Sequence, residues 1–414
     1  MYVRRSAAVL AAAVVIGAAA PAIAADSSAS PSPSASPKPQ YPAELYGTTD
    51  PTYDGVWRQS LALLAQDTAG VKPAKGAVEW LVGQQCANGA FAPYRADAAT
   101  ADCEAKTPVD TNNTAAAVQA LAALGGHDAA TAKAVTWLKS VQNKDGGWGY
   151  MPGGASDTNS TSVVIGALVA AGEKPADVRK DGKTAYDALN KLALPCKDDD
   201  GGAFAFQPDK KGKLLANADA TAAGVLGSLG KGLVVSPGKD APATRCVSEG
   251  LPASQQAAVN GAAHLTDALA KNGHLTSTLP GAEDQPDYGN TADAVVALAA
   301  LSGADAAAKP LRWLEQNSAK WAEQSGPAAY AQLILAAHAT GTDPRDFGGA
   351  DLVEQLNATG PAPQAATKAT DEAEKKDAKK DDSPFGVWWY VGIFLVVGIG
   401  IGFLLSGRKK GPQA

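Results

Sequence analysis

The sequence contains few of the residues that build metal centres and nucleophilic active sites. Only four cysteines and four histidines occur among its 414 residues. No two cysteines have the Cys-x-x-Cys spacing, no histidine lies beside a cysteine, and the histidines show no ligand spacing. A structural zinc site is therefore disfavoured, and no Ser-His-Asp set is recognisable. Phenylalanine and tyrosine are also scarce, at 7 and 10 residues, which leaves little material for aromatic walls that stabilise a cation.

Both ends of the chain carry apolar segments. Residues 1–24 combine two arginines, an apolar run and the small residues Ala22-Ile23-Ala24, a pattern that predicts an export signal. Residues 385–406 are uncharged and long enough to cross a bilayer as one helix, and the basic residues of 407–414 mark the cytoplasmic side. The sequence thus predicts a single-pass cell-membrane protein with its N-terminal part outside and a short C-terminal tail in the cytoplasm.

Two polar stretches separate these segments from the middle of the chain. Residues 25–43 are rich in serine and proline, and residues 359–384 are charged and nearly free of large apolar groups, so both are predicted to be linkers. The remaining residues, 44–358, are rich in alanine with periodic leucine and valine, which favours packed helices over strands. The formal net charge of −6 disfavours a nucleic-acid partner.

All four cysteines lie in the part of the chain that is predicted to be exported, where thiols oxidise. Four cysteines allow three disulfide pairings. We favour the pairing of sequence neighbours, Cys86 with Cys103 and Cys196 with Cys246, because it closes two long loops between helices. Zinc ligation is the alternative interpretation.

A repeated helix pattern occupies the predicted domain. Four segments align on a threonine, and each has Asp or Asn four residues earlier and a helix of small residues after it. The threonines are Thr114, Thr161, Thr221 and Thr291, and the earlier residues are Asp110, Asp157, Asn217 and Asp287. Asp or Asn at a helix start accepts hydrogen bonds from free backbone N–H groups. Each segment is therefore predicted to begin a capped helix.

Helices that carry tryptophan and lysine alternate with these small-residue helices. We count six such units of roughly fifty residues each. The first and last units are as apolar as the middle ones, whereas an open solenoid needs polar caps. We therefore expect an all-α fold, a single α6/α6 toroid of six inner and six outer helices, plus one C-terminal transmembrane helix. Division into two domains near Gly212 or Gly238 is the alternative.

Two segments share a further pattern of Lys, Trp, Gln, Gly and an aromatic residue. In 74–91 these are Lys75, Trp80, Gln85, Gly89 and Phe91, and in 132–150 they are Lys133, Trp137, Gln142, Gly146 and Trp148. The pattern resembles the QW motif of squalene cyclases and the prenyltransferase repeat. The resemblance implies an α6/α6 toroid in which the Gln ends an outer helix, the aromatic ring covers it, and the motif pins one unit to the next. Ligand contact by Trp148 or Tyr150 is the alternative interpretation.

The resemblance also implies a set of candidate chemistries. Class II terpene cyclases protonate an alkene with the middle acid of Asp-x-Asp-Asp-Thr-Ala, where this chain reads 110-DTNNTA-115. The side chain of Asn112 cannot supply a proton of useful acidity. Toroid prenyltransferases hold zinc with a thiolate, and toroid thioester domains require Cys-Gly-Glu-Gln, which this chain lacks. No catalytic residue, metal or cofactor is therefore predicted.

A ligand-binding toroid without catalysis is the favoured interpretation. The runs that begin at Val109 and Asp157 are similar to those of transcobalamin and intrinsic factor. That resemblance implies capture of a small molecule for uptake or relay, with a corrinoid as one candidate ligand. The predicted binding groups lie at the starts of the inner helices, where each is also suited to cap its own helix. They are Asp110, Asn112, Asn113, Asp157, Asn159, Asp219, Asp287 and Asn290.

Two other functions stay open at this point. An exported enzyme of the terpene cyclase or prenyltransferase type would act on an isoprenoid or lipid inside the ring. A surface scaffold would recruit a membrane partner, such as a transporter subunit, through the Gly-x-x-x-Gly spacing at 398–402 of the predicted membrane helix.

Overall fold

A computed structural model describes residues 41–98, 101–240, 243–277 and 284–365. The predicted export signal, the predicted membrane helix and its Gly-x-x-x-Gly segment lie outside these ranges. Within the ranges, no helix combines the length and the apolar character that crossing a membrane requires.

Six helices form an inner layer. They are α1 (Gly55–Thr68), α3 (Thr111–Leu124), α5 (Thr158–Ala170), α7 (Ala218–Ser228), α9 (Tyr288–Ser302) and α12 (Pro327–Thr340). Each packs against the next in this order, and α12 packs against α1, so the six helices close a ring. The predicted ring is confirmed. The described residues up to Gln364 form one compact unit, which favours the single domain over the alternative of two domains.

Six further helices surround the inner ring. They are α2 (Lys75–Gly83), α4 (Asp128–Ser140), α6 (Ala185–Leu192), α8 (Ala253–Ala270), α10 (Ala304–Asn317) and α13 (Leu352–Asn357). Each packs on the inner helix that precedes it. Hydrogen bonds between the two ends of the domain stabilise the closure of the ring. Gln66 donates to the Oδ1 atom of Asn357 at 2.6 Å, and the backbone N–H of Gly47 donates to the carbonyl of Thr359 at 2.8 Å.

Four of the six inner helices start at the predicted caps. The cap side chains accept a hydrogen bond from the backbone N–H three residues later, at 2.7 to 3.1 Å. These caps are Asp110, Asp157, Asn217 and Asp287. Because the side chain satisfies an N–H group that the helix itself leaves unpaired, the cap fixes where the helix begins.

The aligned threonines tie each inner helix to the loop before it. The hydroxyl oxygen of Thr161 accepts a hydrogen bond from the backbone N–H of Trp148 at 3.0 Å. Thr114, Thr221 and Thr291 accept the equivalent bond from Phe91, Phe204 and Leu275. All four threonines are fully buried, so the loss of this acceptor would leave a buried N–H group without a partner.

Inner and outer helices differ in burial as their compositions predict. In α3, 10 of 14 residues are buried, whereas in α4 only 5 of 13 are buried, on one stripe. Small residues allow the inner helices to be approached closely from all sides. A Cβ atom added to Gly224 in α7, for example, would lie 2.5 Å from the ring of Phe204.

The second copy of the Lys-Trp-Gln-Gly-aromatic pattern joins consecutive units. The Nε2 atom of Gln142 donates to the carbonyls of Gly146 and Val178, at 2.8 and 3.4 Å, and Val178 belongs to the next unit. Trp148 is fully buried over this turn. Gly146 has φ +92°, and a Cβ atom there would lie 2.1 Å from the carbonyl oxygen of Thr184. Only glycine fits this position.

The first copy repeats this geometry. The Nε2 atom of Gln85 donates to the carbonyl of Gly89 at 3.0 Å and to that of Ala130, in the next unit, at 2.8 Å. Lys75 is exposed and forms an ion pair with Glu79 at 3.2 Å. The glutamine and glycine of the pattern therefore join the units, while this lysine faces solvent.

The structure contains both favoured disulfides and two elements that the sequence did not indicate. The disulfides join Cys86 to Cys103 and Cys196 to Cys246, so the zinc alternative for these residues is wrong. A short antiparallel hairpin, β1 (Leu275–Ser277) with β2 (Gln285–Asp287), precedes α9, and helix α11 (Ala319–Ser325) precedes α12. The hairpin takes the place of the loop in the other units, because β1 supplies the N–H group that Thr291 accepts.

Candidate active site

A cavity of about 300 Å³ lies at the centre of the ring. Every inner helix contributes at least one polar or aromatic side chain to its lining. In ring order these are Trp57, Asn112, Asn159, Asp219, Asp293 and Gln332. Most of the remaining wall is apolar, with contributions such as those of Leu61, Leu226, Val296 and Leu335. The volume and the mixture of an apolar wall with a few polar groups are those of a small-molecule site.

The lining residues recur along the inner helices at helical spacing. Asn112, Asn159 and Asp219 are the second residues of α3, α5 and α7. Asp293 and Gln332 are the sixth residues of α9 and α12, and the ninth residues of α7, α9 and α12 are Leu or Val. Positions two to nine span about 10 Å along a helix. Most of the polar groups therefore lie towards the helix starts and the apolar wall lies deeper, where Gln119, the ninth residue of α3, is a polar exception.

The segment that follows α7 closes the deep end of the cavity. Residues 231–233 line the cavity, and the backbone N–H of Leu233 donates to the Oε1 atom of Gln119 in α3 at 2.8 Å. Gly232 lies so close to α5 that a Cβ atom on Gly166 would be 2.7 Å from it. The backbone N–H of Gly238 then donates to Ala299 near the end of α9 at 2.8 Å. The segment thus runs from α7 past α3 and α5 to α9.

Two carboxyl groups face this cavity from neighbouring helices. The Nε2 atom of Gln332 donates to both carboxylate oxygens of Asp293, at 3.3 and 3.4 Å. Asn159 donates its amide N–H to the Oδ2 atom of Asp219. Each acid is therefore held by a side-chain amide from the adjacent inner helix, which fixes its orientation in the cavity.

The environment of the two acids raises the pKa of both. The pKa of Asp293 is raised from 3.8 to about 7, first by burial and then by the charge of Asp219, against a lowering effect of the Gln332 hydrogen bond. Burial likewise raises the pKa of Asp219, and the hydrogen bond from Asn159 opposes this rise. A carboxyl with a pKa near 7 is suited to donate or accept a proton at neutral pH.

Several buried polar atoms of the cavity-lining residues have no hydrogen-bond partner among the described residues. They are the Oδ1 atoms of Asn112 and Asn159 and the hydroxyl of Ser162. Ser162, the fifth residue of α5, is 5% exposed. Each of these atoms has less than 1 Å² of accessible surface, so they lie behind the cavity surface, and a buried polar atom without a partner destabilises the fold by roughly 1–3 kcal/mol.

The predicted site residues divide between two roles. Three of them line the cavity: Asn112, Asn159 and Asp219. The other five support helix starts: Asp110, Asn113, Asp157, Asp287 and Asn290. In this second group, each asparagine donates its side-chain N–H to the carboxylate three residues before it, at 2.7 Å. These hydrogen bonds direct the five side chains to their own helix starts.

Trp148 and Tyr150 do not line the cavity. The indole N–H of Trp148 donates to the carbonyl of Leu138 at 2.7 Å, and the ring is fully buried between α4 and its loop. Tyr150 is 44% exposed, and its hydroxyl bonds to Asp110 at the start of α3. Ligand contact by Trp148 is therefore corrected to a structural role, because its polar atom and both ring faces are already in contact with protein.

Asp293 and Gln332 are among the cavity residues that sequence reasoning missed, together with Trp57, Gln119 and Ser162. Asp293 lies two residues after Thr291, where the aligned residues of α3, α5 and α7 are Ala, Val and Ala. An acid at a position that is apolar in the other units was the available signal. Across the described ranges, no group of three His, Cys, Asp or Glu residues is placed to hold a metal ion.

Residues 56–212 match the prenyltransferase alpha-alpha toroid domain. This range contains α1 to α6, the first three units of the ring. The match and the structure together support the toroid superfamily that the QW-like pattern implies. The transcobalamin-like branch of that superfamily stays a prediction.

A short part of the chain is also similar to a named enzyme. Over 80 residues it is 40% identical to a drimenyl diphosphate synthase from Streptantibioticus cattleyicolor, which is 19% of this chain and 13% of the synthase. The chain thus spans a small part of this curated relative.

Two solved structures resemble the chain more distantly. A protein from Actinoplanes is 14% identical with a TM-score of 0.46, over 72% of this chain and 93% of that one. A sugar epimerase from a ruminal bacterium is 12% identical with a TM-score of 0.41, over 72% and 92%. Similarity at this level carries no argument about function.

Proposed function

We propose that this protein is an enzyme of the terpene cyclase type, in which Asp293 protonates an alkene of an isoprenoid bound at the centre of the ring. The observation that carries the proposal is a partly buried carboxyl with a pKa raised to about 7, facing a cavity with a largely apolar wall. The similarity of the chain to a synthase named for a terpenoid diphosphate supports the same reaction class.

The reaction would begin with the neutral form of Asp293. Its proton is transferred to one carbon of an alkene, the alkene electron pair forms the new C–H bond, and a carbocation remains on the neighbouring carbon. A second alkene of the same molecule attacks this cation and closes a ring. Loss of a C–H proton to the carboxylate of Asp219 restores an alkene, and after product release proton exchange with water returns Asp293 to its neutral form and Asp219 to its carboxylate. The net reaction is an isomerisation that needs no co-substrate.

The walls of the cavity suit such a reaction in two respects. Apolar side chains such as Leu226 and Val296 exclude water, and low polarity strengthens the electrostatic effect of a nearby carboxylate on a cation. Trp57 contributes an aromatic ring to the lining, and a ring face attracts a cation. Gln332 holds Asp293 by hydrogen bonds to both oxygens, so we assign it a positioning role.

The test is turnover of linear isoprenoids in deuterated water by the full-length protein. Squalene, farnesol and farnesyl diphosphate are supplied separately. The products of the diphosphate are first treated with phosphatase, and all products are then separated by gas chromatography and their masses are measured by mass spectrometry. We expect a cyclic isomer that carries one deuterium from at least one of the three. Asp293→Asn should lower the rate by at least about 100-fold, while Asp346→Asn, at an exposed position, should not change it.

Equal rates for the wild type and Asp293→Asn would overturn the assignment of the proton donor. Capture of a ligand without chemistry, with a corrinoid as one candidate, is the competing prediction. It is favoured if isoprenoids or corrinoids bind to the wild type and none of the isoprenoids is converted.

A further inference from the structure

Half of the large apolar side chains that the described residues expose lie on two loops at one end of the ring. Eight such side chains are exposed, and four of them belong to the loops before α5 and α7. These four, which are 43% to 54% exposed, are Tyr150, Met151, Phe206 and Leu215. Single exposed apolar side chains are normal on a protein surface, whereas a contiguous group marks a place of interaction.

Hydrogen bonds place these two loops beside the cavity. The backbone N–H of Thr158, the first residue of α5, donates to the carbonyl of Phe206 at 3.1 Å. The backbone N–H of Thr111, the first residue of α3, donates to the carbonyl of Tyr150 at 2.9 Å. The next residue of each helix is an asparagine that lines the cavity. The exposed apolar group therefore borders the mouth, which is the end of the cavity at the inner-helix starts.

The two loops are also basic, although the chain as a whole has a formal charge of −6. The Nε2 atom of Gln207 donates to the carbonyl of Ala155 at 2.9 Å, so the loops form one surface. Residues 150–156 carry no charge, and residues 206–216 carry three lysines against the single acid Asp209. The lysines, all exposed, are Lys210, Lys211 and Lys213. We call residues 150–156 and 206–216 the mouth patch.

Aromatic rings continue the apolar rim on the other side of the mouth. Tyr288, the first residue of α9, packs against Trp313 and Trp321 at ring-centroid distances of 5.0 and 5.5 Å, and all three are partly exposed. A Cβ atom on Gly289 would lie 3.8 Å from the side chains of both Trp321 and Gln332, and Gln332 lines the cavity. Tryptophan and tyrosine favour the boundary between lipid and water, because an apolar ring carries a polar group.

The C-terminal part of the sequence favours a bilayer as the partner of this surface. Residues 385–406 are predicted to cross a membrane, and the described domain ends at residue 365. The roughly twenty residues between them span about 60 Å when extended, whereas the longest inner helix has 15 residues and is about 20 Å long. The predicted linker is therefore long enough for the mouth patch to reach the same bilayer.

We propose that the mouth of the ring docks on the surface of an anionic lipid bilayer through the mouth patch. The four apolar side chains enter the boundary between head groups and acyl chains, and the lysines bind anionic head groups. A cavity whose mouth faces lipid receives an apolar molecule without exposing it to water, which avoids the cost of hydrating its surface. The inference does not depend on the reaction at Asp293, since it applies equally to capture of an apolar ligand.

Quenching of a single fluorescent label by lipids measures which end of the ring touches the bilayer. All four cysteines are paired in disulfides, so an introduced cysteine is the only free thiol. The label is attached in Leu215→Cys, in the mouth patch, or in Val169→Cys, which is 40% exposed at the other end of α5. The full-length protein is reconstituted with vesicles of equal parts phosphatidylcholine and phosphatidylglycerol, some of which carry a nitroxide on the head group. We expect quenching at least about twofold stronger for the Leu215→Cys label, because it lies at the depth of the head groups.

Charge reversal tests the contribution of the lysines. One lysine near an anionic surface is worth about fivefold in binding, so reversing all three should lower the ratio of docked to free domain by at least about 100-fold. The variant combines Lys210→Glu, Lys211→Glu and Lys213→Glu, and it should reduce quenching of the Leu215→Cys label to the level of the Val169→Cys label. The matched control makes the same change in charge at three exposed lysines outside the mouth patch and should leave quenching unchanged. It combines Lys174→Glu, Lys180→Glu and Lys239→Glu.

Three results would overturn the inference. The first is quenching that is equal at the two positions or stronger for the Val169→Cys label. The second is quenching of the Leu215→Cys label that survives the charge reversal. The third is the absence of quenching at both positions, which would favour an acidic protein as the partner of the lysines. If the mouth patch docks but no isoprenoid is converted, the proposed catalysis fails and this inference stands. If isoprenoids are converted and neither label is quenched, the reverse is true.

Discussion

Replacing Asp293 by asparagine should stabilise the folded protein at neutral and alkaline pH. In the folded state this carboxyl keeps its proton up to a pKa of about 7, whereas in the unfolded chain it loses the proton near 3.8. Between these values the folded state binds more protons, so its stability falls as the pH rises through the window. Each pKa unit corresponds to about 1.4 kcal/mol, so the full loss above pH 7 is on the order of 4 kcal/mol. Asparagine has the same shape and no charge, and it therefore removes this loss.

The assay is urea unfolding of the full-length wild type and Asp293→Asn, followed by tryptophan fluorescence between pH 4 and pH 9 (roughly 3 units below to 2 above the raised pKa). The difference in free energy of unfolding should grow in favour of the variant as the pH rises, and it should level off above about pH 7. Asp346→Asn, on the surface, is the control and should show no such growth. A difference that does not change with pH would mean that the folded protein does not hold a proton on Asp293, and the reasoning would be refuted.

Three further predictions concern the scaffold. Gly146→Ala should destabilise the protein by roughly 3 kcal/mol or more, because the new Cβ atom would lie 2.1 Å from the carbonyl oxygen of Thr184. The control Gly153→Ala, at φ +77° with nothing within 4 Å of the new Cβ atom, should cost about 1 kcal/mol. Equal urea midpoints for the two variants would contradict the close-contact argument. Thr161→Val removes the acceptor of the Trp148 N–H bond and should cost roughly 1–3 kcal/mol in urea unfolding, and an unchanged midpoint would show that another group accepts this bond. The disulfides join positions 17 and 50 residues apart, so reducing them should lower the free energy of unfolding by about 3 and 4 kcal/mol, respectively. We expect a fall in melting temperature that reoxidation reverses, and an unchanged melting temperature would contradict this prediction.

The ring could be predicted from the sequence because its local signals repeat. A cap four residues before a threonine marks four inner helices in the same register, and both members of the pair have hydrogen-bond partners in each of these four units. The hairpin before α9 was not predictable in the same way. The fifth unit has His264-Leu265 where other units have Trp-Leu, and its Gly-containing segment resembles the other loops too weakly to reveal paired strands.

The candidate site was only partly visible in the sequence. Asn112, Asn159 and Asp219 lie within the cap pattern itself, so a search of the helix starts finds them. Asp293 lies one turn further along its helix, where the repeat is otherwise apolar. Its importance depends on which face of α9 points to the cavity and on the burial that raises its pKa, and a single sequence gives neither.

The contact of α12 with α1 means that no unit of this domain is first or last in space. A circular permutant, with the residues near Gly47 joined by a short linker to those near Thr359 and new termini cut in the exposed turn at 210–212, should therefore keep the same shape. Deleting one whole unit should destabilise the domain far more than it would an open solenoid. The deletion removes two interfaces between neighbouring units, and the remaining inner helices could no longer close around the central cavity.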